Sequence, residues 1–428
     1  MSSEPEPEPD GDAAAPPVAV LEPLLQWFRS QPDCRLGEIE ISEYEYQGRG
    51  VRAKSATKAG NPLFSCPVRM LFTARAAREE PVLGPALTAC VPRDDDALAL
   101  YILHERRKGA ASAHAEHVAA LPLSYDQTLF WTDTELAEIT GSNVLSITAQ
   151  LKAQTQSDYD ALMLALAAFP DVAASDFSYD DYCWALASIW SRSMDLPVGS
   201  SSEDGTMETL RVIAPVADLF NTDATAPVCH GFDAQDSTLK LAASRDTQSG
   251  EQLVIGYGPV TNARCLWLYG FAIDNNPNDK VDLYAVMSPE TSAYSKRLQL
   301  LTKLSIEALS VSTPHELSLA QPLPESLRQS LRVQRAPKKL LKVWLAEPEM
   351  VADGNVPDVA LEREILEALR LGVIGMLGGY STSLEEDEEI AARWCVLYPR
   401  TYRQHSKPTY FMNYDACGIN RPFETMHD

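Results

Sequence analysis

Hydrophobic and polar positions change their spacing several times along the chain, and each change predicts a different element. Leu24-Leu25-Gln26-Trp27-Phe28 carries its apolar residues at helical spacing and predicts an amphipathic helix. Glu38-Ile39-Glu40-Ile41 alternates with a period of two, as a half-buried strand does, and runs into a glycine turn, YQGRGVRA, at 46–53. NPLFSCPVRMLFT (61–73) predicts one or two further short strands with a proline break. From Asp94 to about Trp190 the spacing becomes helical, in DDDALALYILHERRK, YDALMLALAAF and YDDYCWALASIWSRS. A polar loop, VGSSSEDGTMET (198–209), precedes a second β region containing LRVIAPVADLF, STLKLAASRD and Leu253-Val254-Ile255. Past about Pro289 helical spacing runs to the end, strongest at 324–346 and 359–378. No fixed-period repeat is present.

Short strands, a helical block, short strands and a helical tail do not make the regular alternation of a doubly wound parallel sheet. The order predicts an α+β protein: a small β domain at 21–288 interrupted by a helical insertion at about 94–190, then an all-α domain at 289–428. Two or three domains suit 428 residues, too many for one core. Residues 1–20, acidic and proline-rich, predict a disordered tail and match neither a secretory signal nor a transit peptide.

Charge narrows the partners. Thirty-six Lys and Arg stand against 60 Asp and Glu, a formal net charge of -24, which disfavours nucleic acid and anionic membranes as partners. Basic protein segments or a cationic small molecule suit that field. The longest apolar run, about Ala161–Phe169, is too short to span a bilayer. Eight scattered cysteines without a CxxC predict reduced thiols of an intracellular protein, cytoplasmic or nuclear, rather than a disulfide framework or zinc site.

Single motifs are weak. GRGVRA fits a dinucleotide-binding glycine template, but no apolar helical stripe and no suitably spaced acid follow it, so that reading is rejected. His114 and His117 lie one helical turn apart without further ligands in sight, and a solvated helix face is expected. Arg328, Arg332, Arg335, Lys338, Lys339 and Lys342 also read as a solvated face. In YSTSLEEDEEI (380–390), Thr382 and Ser383 each precede a glutamate by three residues, as in a capping box. Tyr257 stands between Gly256 and Gly258 where a strand stops, and a tight turn packed on the core would account for it.

Taken together and in this order, GRGVRA, WALASIWSRS, PVADLFN, GEQLVIGYGPVTNARCLWLYGFAIDNNPND and YSTSLEEDE resemble a SET-domain methyltransferase. The resemblance is to the branch typified by the Rubisco large-subunit methyltransferase and the actin-histidine methyltransferase. It covers roughly residues 21–390 and is most specific at 250–279. It implies a SET-type β fold with a helical insertion and a C-terminal α-helical substrate-binding domain, which agrees with the element order. It further implies S-adenosylmethionine as methyl donor, a protein side chain as acceptor, and a monomer that grips its substrate protein through the C-terminal domain.

The resemblance implies specific roles. Tyr257 matches the tyrosine whose hydroxyl faces the transferring methyl and the acceptor amine. A phenol pKa near ~10 makes it a poor base at neutral pH, so its role is orientation and electrostatics. Gln47 and Arg49 would meet the cofactor through backbone, Arg52 through its side chain, and Arg192 through the cofactor carboxylate. Asp218, Asn221 and Thr222 match the segment D-x-x-N-His, and Tyr269, Gly270 and Phe271 wall the site with faces suited to a cation. Thr222 departs from the family's histidine. Met194, Ala217 and Val260 depart from the asparagine, tryptophan and arginine of histidine-methylating relatives, leaving an apolar wall better suited to a lysine stem. The expected activity is therefore protein-lysine N-methylation, with protein-histidine methylation and a catalytically silent SET-fold binding module as alternatives. The end from about Trp394 departs from the closing helix that the resemblance implies.

Overall fold

The computed structural model describes residues 21–44, 47–198, 208–273, 276–306, 315–352 and 358–380, with 382, 383 and 386. The acidic tail, most of the 198–209 loop and the end from Trp394 lie outside the described residues.

Among the described residues, twelve short strands form four small sheets. They are β1 (Arg35–Leu36), β2 (Ile39–Tyr44), β3 (Gly48–Ala53), β4 (Pro62–Pro67), β5 (Phe72–Thr73), β6 (Ser193–Val198), β7 (Glu208–Ile213), β8 (His230–Asp233), β9 (Thr238–Ala242), β10 (Gln252–Leu253), β11 (Val281–Leu283) and β12 (His315–Leu317). The sheet orders are β1-β4-β9-β8, β10-β3-β2, β5-β7-β6 and β11-β12, and all of these pairings are antiparallel. In each of the first three sheets, strands from before residue 74 pair with strands from after residue 192. The helical segment between them is thus an excursion from a β structure that closes around it. Inward residues of most of these strands share one core, including Ile39, Val51, Phe64, Val212 and Leu253, which Phe220 joins, while Phe72 and Ile213 belong to a second.

The excursion begins earlier than the sequence predicts. Helices Ala74–Glu79 and Gly84–Cys90 precede the helix Asp94–Lys108. Neither is long enough to show a periodic stripe, and the first starts where the Thr73 hydroxyl accepts from Ala76 N at 2.9 Å. Leu98, Tyr101, Ile102 and Leu186 anchor a second core here. GRGVRA is strand β3 itself, followed by β4 with no helix between them, in agreement with the rejection of the dinucleotide reading.

The C-terminal region is helical, and one three-residue strand within it, β12, pairs with β11. The stretch 324–346 is two helices, Glu325–Arg335 and Lys338–Ala346, because Pro337 supplies no N–H to continue the first. Arg332 contradicts the solvated-face expectation. It is fully buried, donating to the carbonyl of Val351, a residue of a third core, at 2.7 Å and to Glu362 at 2.6 Å. Ser383 and Glu386 make the reciprocal bonds of a capping box, at 2.7 and 3.3 Å. Among the described residues no helix is long and apolar enough to cross a membrane.

Candidate functional site

Three chain segments meet at one place: the glycine turn into β3, residues 217–222, and residues 252–258. β10 pairs with β3 on one side, and beyond it Asn221 bridges to Val254 in parallel, with Ile255 N donating to Asn221 O at 2.9 Å. The Asn221 side chain closes the third edge, its Nδ2 donating to Arg49 O at 3.2 Å. This approach needs a residue without a side chain at 50. A Cβ on Gly50 would stand 2.5 Å from Asn221 Nδ2 and 2.9 Å from a Tyr44 ring carbon. A Cβ on Gly256 would likewise meet Ala226 O at 2.4 Å. Gly50 therefore makes room for the Asn221 and Tyr44 side chains, and Gly256 lets the backbone of Ala226 and Pro227 come close beside Tyr257.

Tyr257 is not a simple turn tyrosine. Its hydroxyl donates to Phe220 O at 2.8 Å, and burial pushes its pKa well above the usual phenol value, with Arg192 opposing. It is a neutral donor at physiological pH, as its assignment to orientation requires. Its ring lies 5.2 Å from that of Tyr269, which lies 5.7 Å from Phe271. Tyr269 and Gly270 end the helix Asn262–Tyr269, and Gly270 packs against the backbone of Asp126 and Gln127 from the helical excursion. Asn262, nearly fully buried, donates to Ile273 O and Asp279 Oδ2, both at 2.9 Å, and so fixes the loop that carries Phe271.

Thr222, at the family's histidine position, is buried, and its hydroxyl accepts from Tyr257 N at 3.3 Å. The replacement ties the Asn221 segment to the tyrosine. Met194 and Ala217 are buried in the first core, on which Tyr257 packs, and Val260 is half-buried with its carbonyl accepting from Asn276 Nδ2 at 2.9 Å.

At the other end is a buried charge cluster. Arg192 closes the helix Tyr179–Arg192, and its Nη1 donates to Asp218 O at 2.7 Å and lies 3.9 Å from Asp218 Oδ2. His117 Nε2 is 3.3 Å from the same carboxylate oxygen. Burial opposes ionisation of Asp218, but His117, Arg192 and Arg49 together hold its pKa below the usual carboxylate range. Arg49 reaches in as well, donating to Ala120 O at 2.9 Å, and burial with Arg192 beside it pushes its pKa down to about 10. Arg192 Nε, Asp218 Oδ1 and His117 Nδ1 are buried without a hydrogen-bond partner among the described residues. Two guanidinium groups and an unpaired buried N–H form a seat for an anionic group such as a carboxylate.

Most of the residues named from sequence therefore converge, but the Arg52 side chain does not. Arg52 lies on the opposite face of β3 from Arg49 and pairs instead with Glu40, at 2.7 Å. Gln47 is exposed at the turn, where its side-chain oxygen accepts from Gln252. Sequence reasoning also missed three contributors: the Arg49 side chain, His117, and Tyr125, whose hydroxyl donates to Ser188 Oγ at 2.7 Å beside Arg192. His114 and His117 are both buried, contrary to a solvated face, with the His114 ring 4.5 Å from that of Phe72. The apolar Val118-Ala119-Ala120 after His117 was the available signal for burial. Among the described residues no group of three or more His, Cys, Asp or Glu is placed to hold a metal ion.

Known proteins resemble this chain in sequence and in fold. Residues 288–401 match the family model for the Rubisco LSMT substrate-binding region. Curated relatives include the actin-histidine N-methyltransferase of Gallus gallus, 27% identical over 72% of this chain and 52% of that protein. That of Homo sapiens is 26% identical over 86% of this chain and 62% of that protein. The chain thus spans about half to three fifths of the length of the curated relatives it matches. The structure of Rubisco LSMT bound to AdoMet superposes with a TM-score of 0.72 at 19% identity, covering 96% of this chain and 93% of that one. The SET domain of LSMT bound to lysine and AdoHcy gives a TM-score of 0.70 at 19% identity over the same shares. The fold is that of the LSMT SET-domain structures, with its helical C-terminal region.

Proposed function

We propose that this chain, which has the LSMT SET-domain fold and a Rubisco LSMT-type substrate-binding region, is an S-adenosylmethionine-dependent protein N-methyltransferase. One observation carries the reading. Half-buried Arg192, with its Nε buried and unpaired among the described residues, stands within electrostatic reach of the Tyr257 hydroxyl, so an anion seat and an aromatic, hydroxyl-bearing wall belong to one site. A zwitterionic methyl donor offers a carboxylate to the first and a sulfonium to the second.

When bound, S-adenosylmethionine supplies an electrophilic methyl group. Arg192 and Arg49 would hold its carboxylate, with Asp218 and His117 keeping Arg192 in place. The Asn221 and Gly50 backbones would approach it closely, while the faces of Tyr257, Tyr269 and Phe271 suit a positive charge. Tyr257 would orient the acceptor nitrogen through a hydroxyl that stays protonated. The region 289–428 would grip the protein substrate.

The curated relatives support histidine as the acceptor, and this is the first reading to test. It has a physical merit: an imidazole is largely neutral at pH 7. A lysine with a pKa near 10.4 must lose a proton at a cost of roughly 4–5 kcal/mol, which a desolvated aromatic site beside a sulfonium would reduce. A second reading, lysine, is favoured by the side chains of Met194, Ala217 and Val260, which offer an imidazole no hydrogen bond. Transfer of labelled methyl from S-adenosylmethionine into proteins of a cell extract, followed by mass spectrometry of the labelled residue, separates the two. Label on histidine or on lysine names the acceptor. No label together with no binding of S-adenosylhomocysteine would refute the enzyme and favour a silent module.

A further inference from the structure

Two cysteines face each other across the first sheet. β1 pairs with β4 so that Arg35 opposes Ser65 and Leu36 opposes Phe64, and the next position outward sets Cys34 against Cys66. Gly37 N donates to Leu63 O at 2.8 Å, making Gly37 and Leu63 a hydrogen-bonded pair in the same register. Antiparallel pairs alternate, so Cys34 and Cys66 occupy a non-hydrogen-bonded position, where Cα atoms approach to about 4.5 Å and side chains are closest. Cys34 N accordingly turns away, to Gln31 O at 3.4 Å. A Cα separation of that size lies within the range that disulfides span, roughly 4.4–6.8 Å. The Cys66 thiol donates to Pro67 O at 3.7 Å, and the two thiols shift one another's ionisation.

We propose that Cys34 and Cys66 form an oxidative modification site that closes to an intramolecular disulfide with a peroxide as oxidant. The pair is asymmetric. Contact with the Cys66 thiol, helped by the Arg69 and Arg35 guanidinium groups, lowers the Cys34 pKa against the opposing effects of burial and of the Asp33 carboxylate. Contact with Cys34 and burial raise that of Cys66. Cys34 also keeps 5% of its surface exposed, at the end of the turn before β1, while Cys66 has none. Cys34 is therefore the attacking group and Cys66 the resolving one. The Cys34 thiolate attacks one peroxide oxygen, the O–O bond breaks, and hydroxide leaves a sulfenic acid. The Cys66 sulfur then attacks the Cys34 sulfur and the S–O bond breaks. The Cys66 proton leaves with the hydroxyl as water. Two thiol sulfurs are oxidised and one peroxide is reduced. The covalent loop encloses β2, β3 and the glycine turn between them, so oxidation fastens the segment that carries Arg49 and Gly50 to the sheet behind it.

The test uses the full chain, reduced, desalted and exposed to hydrogen peroxide under native conditions. Free thiols are then alkylated in denaturant and the digest is mapped without reduction. The expected result is a dithiothreitol-sensitive peptide joining Cys34 to Cys66, with both lost together from the alkylated pool. A melting temperature that rises on oxidation and returns on reduction supports it further. Cys66→Ser should leave Cys34 as a sulfenic acid that dimedone traps. Cys34 and Cys66 both still alkylatable after other cysteines have been oxidised would overturn the proposal, as would Cys34 joined to a different cysteine. The wild-type map decides even if the variant fails to fold.

Discussion

Replacing Tyr257 by phenylalanine removes one oxygen and tests what that oxygen does. The hydroxyl donates to Phe220 O at 2.8 Å in a buried setting, so its loss leaves that carbonyl short of a partner. An unmade buried hydrogen bond costs about 1–3 kcal/mol, and the variant should melt lower by that amount without losing its fold. The anion seat is built from Arg192, Arg49, Asp218 and His117, none of which hydrogen-bonds to the Tyr257 side chain. Affinity for S-adenosylhomocysteine, measured by calorimetry, should therefore change by less than about threefold. Turnover should fall by about 10²–10³-fold, the usual effect of removing one preorganised donor from a reacting centre. Single-turnover transfer of labelled methyl, with both proteins saturated with the donor, isolates that effect from binding. A tenfold loss of affinity (about 1.4 kcal/mol) with turnover at saturation unchanged would refute the reasoning, since the hydroxyl would then serve the cofactor seat.

Arg192→Ala should weaken binding of S-adenosylhomocysteine by about 10–100-fold, as expected when a charge-assisted pairing is lost. Arg52→Ala, which breaks only a partly exposed pair with Glu40, should leave that affinity unchanged; equal effects in calorimetry would contradict the two placements. Gly256→Ala drives a Cβ to 2.4 Å from Ala226 O and should destabilise by about 1–3 kcal/mol while displacing Tyr257. A variant with wild-type melting and turnover would show that this approach is not needed. Stability should fall with acidity in two steps. Burial, with His117 beside it, depresses the His114 pKa from 6.5 to about 4, so the unfolded chain takes up the proton first and roughly 3 kcal/mol is lost as pH falls from 6.5 to 4. Glu80, despite burial, is brought from 4.5 to about 2 by the Leu83 and Val82 amides, Lys108 and His104, so its stabilisation is present above 4.5 and lost as pH falls to 2. Urea unfolding of wild type and His114→Phe across pH 7 to 4 checks the first step; parallel curves would exclude it.

Period-two alternation made β2 and much of the strand content legible, and the change to helical spacing exposed the excursion. Elements too short to complete a period were not. The helices Ala74–Glu79 and Gly84–Cys90 owe their form to the Thr73 cap and to burial on the helix Asp94–Lys108, not to a stripe of their own. β12 has three residues and exists because β11 offers it an edge. Pro337 was a readable signal for a break, but the helical spacing on either side of it dominated.

The candidate site divides in the same way. Tyr257, Asn221 and Arg192 stand in motifs whose residue types are tied to their places, so each was found from a few neighbouring letters. The groups that complete the anion seat are different: the Ala120 carbonyl and the His117 ring come from the excursion, and Arg49 meets them only because β3 is pinned by β10 and β2. Nothing local to GRGVRA decides whether Arg49 or Arg52 points inward until Val51 and Ala53 are known to be core. Once they are, pleating fixes the answer, because Arg49 shares their face and Arg52 does not. The misassigned arginine thus has the same origin as the missed histidine. Each depends on which side of its element the core lies, a property of the assembled sheet and helix rather than of the residue.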